Sequence, residues 1–163
     1  MTEPRWLDDD ELAAWRYLSS VLLLLPGHLD EALAEHGLTF FEYSVLVSLS
    51  SSPDRRRRLS ELAFATQGSL SRLSHAAKRL ERRGWVRREP CPDDGRVTMA
   101  CLTDDGMATL EGAAPHHVAS VRRAVFDQLD DEQVARLREA GAAILAAIRP
   151  DQPPPWETTP AGG

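Results

Sequence analysis

Cysteine is scarce: Cys91 and Cys101 are the only two in 163 residues. Two thiols do not make a disulfide framework, so the fold must rest on an apolar core. In a hairpin turning near Asp93 and Asp94 the two would not face each other, which excludes an intrachain bridge. No apolar run approaches the roughly eighteen residues of a membrane span. The N-terminus has no basic stretch leading into an apolar one, so the expected compartment is the cytoplasm. Catalytic sets are also missing. Ser71 and His75 share a helix face, but no carboxylate lies a further turn away and no Gly-x-Ser-x-Gly elbow exists. His116 and His117 are adjacent, so on a helix they diverge by about 100° and chelate poorly together. Neither an enzyme, nor a metal site, nor a cofactor is expected.

The net charge of −6 speaks at first against a nucleic-acid partner. Its distribution reverses that. Residues 55–96 hold twelve Lys/Arg against five Asp/Glu, while the rest of the chain holds seven against twenty. A basic lobe joined to an acidic one suits a DNA-binding module carried on a dimerisation scaffold.

The basic block is organised around Gln67–Thr103. Leu70, Leu73, Ala77 and Leu80 recur at three- and four-residue intervals, the period of a helix with one apolar face. Ser69 can cap its start and Gly84 can end it in the left-handed conformation. The other face carries Ser71, Arg72, Ser74, His75, Lys78 and Arg79, donors and cations suited to the major groove. By this reading Arg72 and His75 face base edges, and Lys78 and Arg79 lie nearer phosphates. Leu70 fits either the core or a thymine methyl. Trp85–Glu89 and Arg96–Leu102 read as two strands joined by the turn-forming run Pro90-Cys91-Pro92-Asp93-Asp94-Gly95. A recognition-type helix followed by such a ribbon is a winged helix-turn-helix. Asp94 can brace Arg96, which the ribbon can carry into a minor groove.

Elsewhere the pattern is helical. Asp8 to Glu11 begin a stripe of Leu12, Trp15, Leu18, Leu22 and Leu25, continuing past Pro26 to Gly37 as one kinked helix or two abutting ones. Thr39 and Glu42 form a capping box for a helix ending near Ser50. Arg55–Arg58 are expected in a loop, there to hold phosphates or merely to solubilise it. Leu59 is expected to add a short third strand, and Ser60 to cap the short helix that precedes the turn Thr66-Gln67-Gly68. Thr103 caps a helix whose stripe runs to Leu129 with Pro115 inside it. Asp130 and Gln133 start the last helix, and the proline-rich residues 150–163 are expected to be disordered.

The ordered set Leu59-Ser60-Glu61-Leu62-Ala63, Arg79 to Val86, Asp94-Gly95-Arg96 and Leu102 to Gly106 resembles the MarR family of transcriptional regulators. The resemblance spans the chain except its tail. It implies a mainly α fold with a small β-wing. Residues 8–37 and 103–149 would form a helical dimerisation region around a winged-helix lobe at 39–102. It further implies a homodimeric repressor that binds double-stranded DNA at a pseudo-palindromic operator and is released by a small ligand, without a membrane partner. The DNA-contacting set would be Gln67, Ser69, Ser71, Arg72, Ser74, His75, Lys78, Arg79, Asp94 and Arg96. Small anionic aromatics bind between the helices and the lobe in the resembled family; Trp15, Arg16, Tyr43 and His117 are the candidates for such a site. Arg16 could equally pair with Glu11 or Asp8, and Trp15 could be core. A winged helix that binds protein instead of DNA is the competing reading, disfavoured by the intact basic face.

Overall fold

The computed structural model describes residues 4–92, 94–152, 154 and 156. Asp93 and most of the expected tail lie outside them. Six helices and three short strands follow the chain: α1 (Asp9–Leu33), α2 (Phe40–Ser50), β1 (Arg56–Arg58), α3 (Leu59–Ala65), α4 (Leu70–Arg82), β2 (Val86–Pro90), β3 (Thr98–Leu102), α5 (Asp104–Ala124) and α6 (Asp131–Ile148). The mainly α architecture with a small wing is the one anticipated.

Capping fixes most helix starts. Asp8, Thr39 and Asp130 each accept from the backbone three residues on, and Glu11, Glu42 and Gln133 reach back to complete capping boxes. Pro26 stays inside α1, which runs as one helix into a 3-10 turn at Ala34–His36 and ends on Gly37.

Three expectations need correction. The third strand is Arg56–Arg58, not Leu59, so these arginines are ladder residues rather than a loop. Leu59 instead begins α3, and Ser60 is inside that helix; Arg58 stands at the cap without a side-chain bond. The α5 stripe stops at Ala124, where Val125 leaves helical geometry at φ −126°, ψ −68° and a 3-10 turn follows.

The sheet has the order β1-β3-β2, all antiparallel, with Arg56 opposite Cys101 and Val86 opposite Leu102. Its inner side joins a core built from α2, α3, α4 and the start of α5. Leu33, Val45, Leu46, Leu49, Leu62, Leu73, Leu80 and Val86 are fully or almost fully buried there. Gly106 lets α5 cross the chain closely: a Cβ there would lie 2.1 Å from the Trp85 carbonyl oxygen. That contact locks the wing's entry to the scaffold, and Thr103 adds a hydrogen bond to the Gly84 carbonyl at 2.7 Å.

Candidate nucleic-acid interface

Helix α4 is placed by its own sequence. Ser69 Oγ accepts from the Arg72 backbone N–H at 3.2 Å, and Gly84, at φ +74°, turns the chain into β2. Leu73, Ala76, Ala77 and Leu80 are buried; Leu70, Ser71, Arg72, His75, Lys78 and Arg79 are exposed, and Ser74 is half-buried. Gln67 is exposed in the turn before α4 and takes a positive φ of 53°.

Two of the expected DNA-facing arginines are tied to α2. Arg79 Nε donates to Glu42 Oε1 at 2.7 Å, and the Arg72 guanidinium lies 4.1 Å from the centre of the Phe41 ring. Glu42 is buried. Burial pushes its carboxyl up, but the Thr39 backbone N–H and Arg79 outweigh that and hold it below the ordinary carboxylate range. Glu42 thus caps α2 and anchors α4. The capping box was legible in the sequence; this second role was not, since it joins residues 37 apart.

On the wing, Arg96 Nε and Nη2 meet Asp94 Oδ1 and Oδ2 at 3.1 and 3.3 Å, and the Arg96 backbone N–H also donates to Oδ1. The arginine is 92% exposed, so the brace orients it without burying it. Arg96 holds the Asp94 carboxyl below its usual range. Within Arg55–Arg58, each cation has a partner: Arg55 Asp104, Arg56 Asp54, Arg57 Ser48 and Arg58 Glu61.

Cys91 directly follows β2 and Cys101 lies within β3. Both are buried and unbridged. Cys101 donates to Glu89 Oε1 at 3.1 Å; burial and that carboxylate push its thiol up to about 11. A thiol so held carries almost no thiolate at neutral pH.

A separate cavity of about 310 Å³ opens between α2 and α5. Tyr43 and His117 both line it, beside Phe40, Ser44, Ser48, Arg57 and Trp156. His117 stacks on Phe40 at 5.6 Å and tilts against Tyr43 at 4.4 Å between ring centres. Its Nδ1 is buried with no hydrogen-bond partner among the described residues, and burial holds the imidazole below its ordinary pKa. Trp15 and Arg16 do not belong to this lining; both are exposed on α1. Trp15 is 54% exposed and so is not core, and Glu11 pairs with Arg5 rather than Arg16. The cation of the cavity is Arg57, hidden in the sequence by its place in a run of four arginines. His116 turns away from His117 to meet His36, with Nδ1 3.0 Å from Nε2. Among the described residues no group of three His, Cys, Asp or Glu is placed to hold a metal ion.

A short helix, a turn, a cation-faced helix and a braced two-stranded ribbon define a winged helix-turn-helix DNA-binding protein. The family model described as MarR family matches residues 36–97. Sco3205, a MarR family transcriptional regulator from Streptomyces coelicolor solved in complex with DNA, superposes with a TM-score of 0.87. It is 45% identical, over 93% of this chain and 95% of that one. The HTH-type transcriptional regulator PecS of Dickeya dadantii is 30% identical, over 81% of this chain and 80% of its own. CouR from Rhodococcus jostii RHA1, solved bound to p-coumaroyl-CoA, is 26% identical with a TM-score of 0.68, over 78% of this chain and 88% of that one. The chain belongs to the MarR family of transcriptional regulators and is a DNA-binding protein of that family. Among the described residues no helix is long and apolar enough to cross a membrane.

Proposed function

We propose that the protein is a homodimeric repressor that reads a pseudo-palindromic operator and leaves it when a small anionic aromatic ligand binds. It acts in the cytoplasm and catalyses no reaction. The observation that carries this reading is the exposed row Ser71, His75 and Lys78 on α4, flanked by the braced Arg96 on the wing. With α4 in the major groove, Ser71, Ser74 and His75 meet base edges, and Gln67, Ser69 and Lys78 meet backbone or flanking bases. Arg96 enters the adjoining minor groove, oriented by Asp94. Arg72 and Arg79 contribute to DNA contact from positions set by Phe41 and Glu42.

The division into a winged-helix lobe at 39–102 and a dimerisation region at 8–37 and 103–149 is supported by exposure. Helix α6 has no buried residue, and α1 exposes Trp15, Tyr17 and Leu22 to Leu24. A second copy would cover both faces around a twofold axis. The effector reading is supported by the cavity: aromatic rings, an orphan imidazole nitrogen and the Arg57 guanidinium suit a flat, negatively charged ligand. Helix α2 supplies the route outward. Phe40 and Tyr43 face the cavity, and Phe41 and Glu42 hold α4.

The test is selection of bound sites from genomic DNA, followed by a screen for small aromatic acids that release them. An inverted repeat should emerge, and its affinity should fall steeply with salt. Equal enrichment of all sequences would favour a winged helix without sequence-specific binding.

A further inference from the structure

Between residues 51 and 102, Leu70 is the one large apolar side chain left exposed among the described residues, at 59%. Its position makes this informative. It is the first residue of α4, directly after the Ser69 cap, at the end of a recognition helix that meets base edges. The next core position, Leu73, is fully buried, so the lobe's interior is closed without Leu70. Ser71 beside it is exposed and Ser74, a turn further on, is half-buried; both are small and polar. The larger side chain nearby, Arg72, is drawn over the Phe41 ring.

Chemistry narrows what such a side chain can read. Base edges in the major groove present hydrogen-bond donors and acceptors to serines, histidine and arginine. The one apolar group on an unmodified base edge is the 5-methyl of thymine. A leucine offers nothing to the other edges, and burying the methyl against it removes apolar surface of both from water. We infer that Leu70 is a specificity-determining residue that selects thymine over the other bases at one position in each half-site, by contact with its 5-methyl group. This rests on α4 being the recognition helix.

Deoxyuridine in place of thymidine isolates the contact, because it removes the methyl and keeps the pairing. Within the selected operator, each thymidine of a half-site is replaced in turn, and binding of the parent and of Leu70→Ala is measured. One position per half-site should weaken the parent about fourfold on loss of the methyl, the amount expected for one buried carbon. Leu70→Ala should bind the normal operator correspondingly more weakly and be indifferent to deoxyuridine there. Its melting temperature should match the parent's, as befits an exposed side chain. The inference is overturned if no deoxyuridine position separates parent from variant, or if Leu70→Ala melts lower and so shows a packing role. Restoring the methyl as 5-methylcytosine, opposite guanine, separates the methyl contact from other features of the thymine pair. A cytosine there that gains nothing from methylation also counts against the inference. Failure of the recognition-helix assignment looks different: Leu70→Ala and Ser71→Ala would both leave operator binding unchanged.

Discussion

The winged lobe and the helical scaffold manage their apolar residues in opposite ways. Between residues 39 and 102 only two large apolar side chains are exposed among the described residues, Leu70 at 59% and Val47, on the cavity wall, at 40%. Helices α1 and α6 leave theirs open: Leu22, Leu23 and Leu24 are 61%, 80% and 73% exposed, and Ile148 is 69% exposed. The charge divides the same way, basic on the lobe and acidic outside it. The lobe is therefore nearly closed as a packing unit and open mainly to polar, anionic contact, whereas the scaffold is incomplete until another surface covers it.

The largest expected effect comes from denying the scaffold that cover. Ile144→Glu with Ile148→Glu places two charges on the open face of α6. Sedimentation should then show a monomer where the parent is a dimer. Operator affinity should fall by roughly 10²–10⁴-fold, since two half-sites would no longer be bound as one event. A variant that still sediments as a dimer would mean that α6 is not the covered face.

Next in size is the wing. Arg96→Ala should leave folding and dimerisation intact and weaken operator binding roughly tenfold to a hundredfold. Preference for A·T pairs flanking the major-groove contacts should flatten with it. Asp94→Ala should cost less, through lost orientation, and should raise affinity for random DNA because a negative charge leaves the lobe. A salt titration on operator and random DNA separates the two.

A smaller effect is expected where α2 holds α4. Arg79→Ala leaves the Glu42 carboxylate buried with only Thr39 as partner and should cost about 1–3 kcal/mol of stability. Glu42→Gln should cost less, because Arg79 is 45% exposed and can turn to water. The sign with pH follows from the lowered Glu42 carboxyl. Its contribution is present above the unfolded value near 4.5 and is lost as pH falls below it. Chemical denaturation of the parent and both variants at pH 7 and pH 4 checks this. A pH dependence unchanged in Glu42→Gln would remove the pair from the account.

These contrasts also explain what the sequence made legible. Local rules carried far: the boxes at Asp8, Thr39 and Asp130, the cap at Ser69 and the left-handed Gly84 depend on residues within a turn of each other. The Asp94–Arg96 brace was readable for the same reason. Contacts between elements were not. Nothing in the spacing ties Arg79 to Glu42, lays Arg72 over Phe41, or separates Arg57 from its three arginine neighbours. For Trp15 the spacing left a ligand-lining and a core role open, because a stripe on a scaffold helix reads the same whether its cover comes from the same chain or from another. The third strand was expected at Leu59 rather than at Arg56–Arg58 because three arginines in a row carry no alternation; their place comes from pairing with Met99 to Cys101.

The smallest expected effect lies in the cavity, where scaffold and lobe meet. Burial lowers the pKa of His117, so the folded protein disfavours its charged form. The unfolded chain then binds a proton more readily than the folded one as pH falls through the ordinary histidine value near 6.5. Stability tied to this residue is thus present above that pH and lost below it. His117→Phe keeps an aromatic ring against Phe40 and Tyr43 and removes the proton. Its melting temperature should fall less than the parent's between pH 7.5 and pH 5.5. An anionic ligand in the cavity should shrink the difference further, because a nearby negative charge favours the imidazolium and offsets its desolvation. Identical slopes for parent and His117→Phe would show that the ring is hydrated enough to titrate freely, and the cavity would then be too wet to favour a flat aromatic acid.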